Sequence, residues 1–320
     1  MKILVMGAGS IGSLFAGLLA CNNENDVTIV AREFQVKAVK SYGLKIKGLI
    51  EKTVKNIKAE TSVQPLIKEA WDLILLTVKA YSVSEASKQI SPLIKEKTMV
   101  LCLQNGIGVE DEVLKVIRKE NIIRGVTFCG AFLEKPGIVV STGFGKTILG
   151  GLSQKNYDNI LDIAENFKNS GFYVEISDNI QSIVWTKTLV NAGINPYGTL
   201  TGMRNGELLE YEDLKLLIAE TVLEGVRVAD KLKIPLPEDP VDLTFKTAKA
   251  TAENFNSMLQ DIKRGRRTEI DYINGAISRL GSSTGVSTPL NMLLTFLVKR
   301  LEKNTMVEEL WRRVIHQKIS

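Results

Sequence analysis

The segment from Trp185 to Leu209, WTKTLVNAGINPYGTLTGMRNGELL, sets Lys187, Asn191 and Asn195 four residues apart. That spacing keeps three side chains on one helical face with slow angular drift. Their neighbours Trp185, Leu189, Val190, Ala192 and Ile194 are apolar. Asparagine is a poor helix former and costly to bury unpaired, so a Lys/Asn/Asn ladder in apolar company asks for polar partners that a substrate could supply. A solvent-facing stripe is the bland alternative, although lysine or glutamate would suit it better than two asparagines. Pro196 biases Asn195 away from helix, which predicts a kink or a helix end there.

The chain has one histidine, His316, close to its C-terminus, where residues fray and rarely carry chemistry. A general acid or base must then be sought among Lys, Glu, Asp, Tyr or Cys. Reduction of a ketone needs a hydride, a proton for the developing alkoxide, and fixed donors for its charge. Lys187 is the natural acid: a free lysine has a pKa of ~10.4, and partial burial would bring it toward neutrality. Tyr197 and Tyr173 have no comparable polar setting.

A hydride source is implied at the other end of the chain. Lys2–Gly12 reads KILVMGAGSIG, with Gly7, Gly9 and Gly12 in GxGxxG spacing. The first glycine permits a tight turn, the second lets a pyrophosphate reach the backbone, and the third allows close helix packing. Ser10 and Ile11 open the following helix, whose first N–H groups and dipole favour an anion. The pattern alone is weak, but a strand precedes it, an amphipathic helix follows, and a second strand completes the unit. That second strand ends DVTIVAR, placing Arg32 where an NAD enzyme tends to carry an acid; an arginine there suits the 2′-phosphate of NADPH. The competing reading leaves Arg32 solvated and makes Glu33 the ribose ligand. Two more strand ends carry polar residues, DLILLTV before Lys79 and MVLCL before Gln104-Asn105-Gly106. Lys79 could contact the cofactor, an anionic substrate or only solvent. On spacing alone Asn105-Gly106 reads as a turn.

Elements that would position these residues follow from periodicity. Lys2–Met6, Asp26–Ala31, Asp72–Val78, Thr98–Leu103 and Ile122–Phe128 read as strands, with helical spacing in Ile11–Leu19 and Val109–Ile117. Strand–helix alternation predicts an α/β, Rossmann-like domain with a mostly parallel sheet. The glycine-rich stretch CGAFLEKPGIVVSTGFGKTILGG reads as antiparallel strands extending that sheet, with Pro136-Gly137 as a turn. A helix over 156–169 and a strand over Phe172–Ile176 would close the domain. Beyond residue 178 helical periodicity takes over, longest at Leu208–Leu232 and recurring near Asp242–Asn254, Thr268–Leu280 and Pro289–Leu301. The expected organisation is a dinucleotide-binding domain over residues 1–178 and an all-α substrate domain over 179–320.

The 320 residues suffice for two domains, and 44% hydrophobic with 24% charged residues is a globular composition. No window reaches the ~18 apolar residues of a membrane span. KILVMG is too short for a secretory segment and runs into a turn, so a cytoplasmic protein is expected. Cys21, Cys102 and Cys129 are widely spaced and without a CxxC pair, which reads as small buried thiols rather than disulfides or a metal site. The net charge of +5 suits an anionic cofactor and substrate, and no nucleic-acid motif accompanies it. The apolar faces of the long helices could belong to the core or to a homodimer.

From end to end the chain resembles the ketopantoate reductases. The resemblance is carried by GAGSIG, VKAY, LQNG, the 185–209 block and SMLQDIKRGRRTEIDYINGAI, the last two being the specific ones. It implies NADPH-dependent reduction of 2-dehydropantoate, a small 2-keto acid, to pantoate in pantothenate and coenzyme A synthesis. By position it implies that Lys187 is the catalytic lysine and Glu269 the acid paired with it. It further implies that Asn191, Asn195 and Asn205 are substrate asparagines and that Ser257 meets the substrate carboxylate. Asn105 would lie by the nicotinamide, and Arg32 and Lys79 at the 2′-phosphate end. Read from the residues alone, Ser257 is a helix-start serine and Glu269 a first-turn acid with a capping and dipole role. Tyr197-Gly198 after the proline and Asn256 before Ser257 depart from the family pattern.

Overall fold

The computed structural model describes residues 1–153, 155 and 157–319, with residues 305–319 described by backbone alone. Asn156 and the His316 side chain lie outside the described residues. The chain divides into two compact units, one of Met1–Gln104 with Val109–Ile180, the other of Asn105–Gly108 with Gln181–Ser320.

The first unit is built on an eight-stranded sheet. Its strands are β1 (Lys2–Met6), β2 (Asp26–Val30), β5 (Ile57–Glu60), β6 (Leu73–Leu76), β7 (Met99–Cys102), β8 (Ile122–Thr127), β11 (Thr147–Gly151) and β12 (Val174–Ile176), in the order β12-β11-β8-β7-β6-β1-β2-β5. Strands β5 through β8 in that order run parallel, and β11 pairs antiparallel with β8. β6 (LILL) and β7 (MVLC) are buried throughout, as expected of central parallel strands covered on both faces. Helix α1 (Ser10–Ala20) packs on this sheet, with Phe15 stacked on Phe172 at 4.5 Å between ring centres.

Residues 44–48, 52–54 and 57–60 lie in strands although lysines interrupt their apolar alternation. β3 (Leu44–Gly48) and β4 (Lys52–Val54) join β9 (Gly130–Lys135) and β10 (Ile138–Gly143) in a second sheet, ordered β4-β3-β10-β9. This corrects the expected single extended sheet. Of the glycine-rich stretch only β11 joins the main sheet; the β9–β10 hairpin turns at Gly137, whose φ of 76° suits glycine, and pairs with β3 instead. Helices α2 (Glu33–Tyr42), α3 (Val83–Ile90), α4 (Val109–Leu114) and α5 (Tyr157–Asn169) complete the unit. Cys102 and Cys129 are buried, but Cys21 is exposed, contrary to the expectation for all three thiols. Burial pushes the Cys102 thiol up to about 12, which removes it as a nucleophile.

The second unit is helical, with no strand among its described residues: α6 (Ile180–Thr201), α7 (Glu212–Lys231), α8 (Pro240–Ala250), α9 (Ser257–Lys263), α10 (Asn274–Thr284) and α11 (Pro289–Ile319). The helix expected over Leu208–Leu232 is two elements, because Tyr211 adopts extended backbone between a 3₁₀ turn (Glu207–Glu210) and α7. The helix expected near Thr268–Leu280 is likewise a 3₁₀ turn (Ile270–Tyr272) followed by α10. Asp239 caps α8, its carboxylate accepting from the N–H groups of Val241 and Asp242. The buried carboxylate of Glu224 does the same for α11, accepting from Leu290 and Asn291 at 2.9 and 3.0 Å. Among the described residues no helix is long and apolar enough to cross a membrane.

Candidate active site

In the first unit the residues singled out by sequence lie beyond the carboxyl ends of neighbouring parallel strands. Gly7 follows β1, Arg32 follows β2 and Lys79 follows β6, and these strands are adjacent in the sheet. Gly7 has a φ of 105° and donates to the Val30 carbonyl, so the turn is pinned to the end of β2. Thr77 holds its other side, the hydroxyl donating to the Gly7 carbonyl at 2.9 Å. A Cβ on Gly12 would strike that same carbonyl, which is why α1 can start so close to the strand. Gly9, by contrast, is exposed and faces open space: a Cβ there would meet nothing within 4 Å. It sits at the N-cap of α1, with no side-chain cap and no acid in the first turn. Ser10 and Ile11 follow; the Ser10 hydroxyl accepts from the Leu133 N–H at 3.3 Å, and Ile11 packs on the core.

Arg32 is exposed at the N-cap of α2, while Glu33 is drawn into an ion pair with Lys37 at 2.7 Å. Lys79 is half-buried at the start of a 3₁₀ turn. The next strand end is fixed by a residue the sequence did not advertise. Arg124, fully buried on β8, donates to the carbonyls of Cys102 (3.0 Å) and Gln104 (2.7 Å), with Glu110 3.4 Å away to balance its charge.

In the second unit α6 is divided lengthwise into three stripes. Trp185, Leu189 and Ala192 join one apolar cluster, and Val190, Ile194 and Tyr197 join another. Lys187, Asn191 and Asn195 occupy the remaining arc, Lys187 and Asn191 half-buried and Asn195 5% exposed. Among the described residues no hydrogen bond occupies the Asn191 or Asn195 amide, so both keep donors and an acceptor for a ligand. Tyr197 is engaged with Thr221 at 2.7 Å and its phenol is pushed up by burial; Tyr173 is exposed in the other unit.

The kink or helix end expected at Asn195 does not occur: α6 runs through Pro196 to Thr201. Pro196 has no N–H for the carbonyl of Ala192, four residues back. The Asn274 side chain donates to that carbonyl at 3.1 Å and fills the gap. Asn274 is itself fully buried and donates to Asn291 at 3.0 Å.

Glu269 also departs from expectation. It precedes the 3₁₀ turn rather than lying in a first helical turn, and its side chain caps nothing. The carboxylate is 7% exposed and accepts from the Asn105 amide at a loose 3.4 Å. Asn105-Gly106 is the turn that spacing suggested: Gly106 has a φ of 94°, a Cβ on it would strike the Tyr272 carbonyl, and Ile107 donates to that carbonyl at 2.8 Å. The turn is therefore docked on residues 269–272. Asn205 and Ser257 lie elsewhere in the unit, with no hydrogen bond to the ladder among the described residues. Asn205 is buried with its amide on Thr251 at 2.9 Å and its carbonyl oxygen unpaired; Ser257 is exposed at the start of α9.

The two departures from the family pattern prove to be one feature. Asn256 caps α9, accepting from the Leu259 N–H at 2.9 Å and from the Thr199 hydroxyl at 3.3 Å. Its buried amide nitrogen lies where a side chain on residue 198 would begin, so Gly198 is what makes room for it. Chain order could not have linked residues 58 positions apart.

The family model for ketopantoate reductase PanE/ApbA matches residues 3–154, and that for its C-terminal part matches residues 179–302. A 2-dehydropantoate 2-reductase of Pyrococcus abyssi is 42% identical over 94% of this chain and 98% of its own. A D-mandelate dehydrogenase solved with NADH and anilino(oxo)acetate is 35% identical, with a TM-score of 0.88 over 95% of this chain and 99% of its own. A ketopantoate reductase from Ralstonia eutropha is 27% identical, also with a TM-score of 0.88, over 95% and 99%. Two family models spanning both units, and relatives matched along nearly their full length, place the chain: it belongs to the ketopantoate reductase family.

Proposed function

We propose that this protein reduces 2-dehydropantoate to pantoate with NADPH, in the route to pantothenate and coenzyme A. The observation that carries the reading is the α6 ladder, one lysine and two unoccupied amides on a single arc of an otherwise apolar helix. The glycine turn fits the cofactor: open space over Gly9 at a helix N-terminus admits a pyrophosphate, and exposed Arg32 suits a 2′-phosphate. Lys79, beyond the adjacent strand, adds a second cation. NADPH held by these residues would supply a hydride for the keto carbon. Lys187 gives its proton to the carbonyl oxygen, so that ketone, hydride and proton make the hydroxy acid. Glu269 orients the lysine and Asn105, while Asn191 and Asn195 hold the substrate's polar groups. Asn205 is a further substrate asparagine, and Ser257 serves the substrate carboxylate.

A second reading has a specific basis. Glu33 follows Arg32 directly, and a structural neighbour holds NADH with a different acid. Under it the chain reduces another 2-keto acid with NADH. Initial rates with 2-dehydropantoate and with phenylglyoxylate, each with NADPH and with NADH, separate the two. Selective turnover of 2-dehydropantoate with NADPH is expected; preference for the aryl acid with NADH would establish the alternative.

Free cysteines are in keeping with a cytoplasmic, reducing setting. Exposed Met292, Leu293, Phe296 and Leu297 on α11 favour a homodimer, and sedimentation equilibrium would reveal a monomer if that is wrong.

A further inference from the structure

Glu269 is one of a short run of residues held from outside by side chains of α11, with Arg279 of α10 also donating to the Asp271 carbonyl at 2.9 Å. Glu302 of α11, 7% exposed, accepts from both the backbone N–H (2.7 Å) and the hydroxyl (2.5 Å) of Thr268, itself 1% exposed. Thr268 passes the constraint forward, its hydroxyl accepting from the Ile270 N–H at 3.2 Å. One helical turn earlier on α11, Lys299 donates to the Asp271 carboxylate at 2.8 Å, which Arg267 also reaches at 2.8 Å. Residues 268 and 271 are thus gripped on either side of Glu269, and Asn105–Ile107 docks on the same run through Tyr272. Burying a carboxylate such as Glu302 is costly unless it is fully used, and a threonine could be satisfied more cheaply by a neutral partner.

We propose that Glu302 and Lys299 are positioning residues, a clamp on α11 that holds residues 268–271 so that the Glu269 carboxylate stays in register with Asn105. The proposal rests on the reading of Glu269 as the acid that orients the proton donor.

The test is a double-variant cycle on the full chain. Glu302→Ala is expected to lower kcat by up to ~100-fold, the order a displacement of roughly 1 Å costs, with KM for NADPH unchanged. Glu302→Gln keeps an oxygen for Thr268 and is expected to restore most of kcat. On a Glu269→Gln background, Glu302→Ala should cost less than about twofold more, since residues acting through one another are not additive. Equal losses on both backgrounds, or no loss on either, would overturn the clamp. Should Glu302→Ala not fold, Thr268→Val decides: it removes the shorter bond, and its loss of kcat must also vanish on the Glu269→Gln background. Full activity of the Glu269→Gln single variant would instead sink the reading of Glu269, and the clamp's purpose with it.

Discussion

The glycine turn and the Glu269 site are built on opposite plans. In the turn, Gly7, Gly9, Ser10, Ile11 and Gly12 are consecutive or nearly so, and the distant groups that hold them, Val30 and Thr77, work mainly through one backbone and one hydroxyl bond. The Glu269 site draws on residues 105, 268, 271, 299 and 302, and the Glu269 side chain caps no helix. A phosphate-binding turn can be local because it uses backbone N–H groups, which any short segment possesses. A buried carboxylate needs donors and a rigid frame, and those come from wherever the fold delivers them.

The comparison can be broken or sharpened by substitution, beginning with the largest effect. Lys187→Ala is expected to lower kcat by ~10²–10⁴-fold, the usual contribution of a positioned acid, with NADPH binding by fluorescence titration nearly unchanged. An active variant would move the proton donor elsewhere. Arg32→Glu should lower the preference for NADPH over NADH by ~10–100-fold in kcat/KM, because it exchanges a pairing cation for a repelling anion. An unchanged preference would assign the 2′-phosphate to other groups. Asn274→Leu leaves the Ala192 carbonyl unpaired beside Pro196, and urea unfolding should report a loss of ~1–3 kcal/mol. If stability holds, the account of how α6 passes its proline is wrong.

Gly9→Ala separates function from folding within the turn itself. The new methyl meets open space, so the melting temperature should stay put while NADPH affinity falls about tenfold, ~1.4 kcal/mol. Unchanged affinity would mean that no pyrophosphate approaches there.

The smallest effect concerns pH. Burial tends to raise the Asp271 carboxyl, but hydrogen bonds from Lys299 and Arg267 outweigh it and bring the pKa below the ordinary 3.8. A depressed folded-state pKa contributes stability above the unfolded value, and that stability is lost as pH falls through the folded one. Lys299→Met should therefore move the acid unfolding midpoint to higher pH. Because the pair is partly exposed, the change should be below ~1 kcal/mol. Identical acid transitions would show that Lys299 does not hold Asp271 in solution.

Legibility followed the same divide. β1 matches its expected bounds, and β2, β6, β7 and β8 lie within theirs, because a continuous apolar run bounded by turns marks a buried strand locally. The β9–β10 hairpin was legible as a hairpin but not as part of a second sheet. Its partner β3, about ninety residues earlier, is broken by lysines and is not among the strands that periodicity marks, and pairing is decided by neighbours. Lys187, Asn191 and Asn195 declared themselves by spacing. Arg124, Asn274 and Glu302 did not, since a single polar residue in a sequence carries no mark of being buried.

By itself the sequence determined the two classes of architecture, the phosphate-binding turn and the polar ladder of α6, all of which depend on short-range periodicity and backbone geometry. Tertiary structure alone decided that α6 stays helical through Pro196, that Gly198 accommodates Asn256, and that α11 grips the run containing Glu269. Each of these satisfies a buried polar or steric demand with a residue distant in the chain. Burial imposes that demand, and burial exists only once the chain has folded.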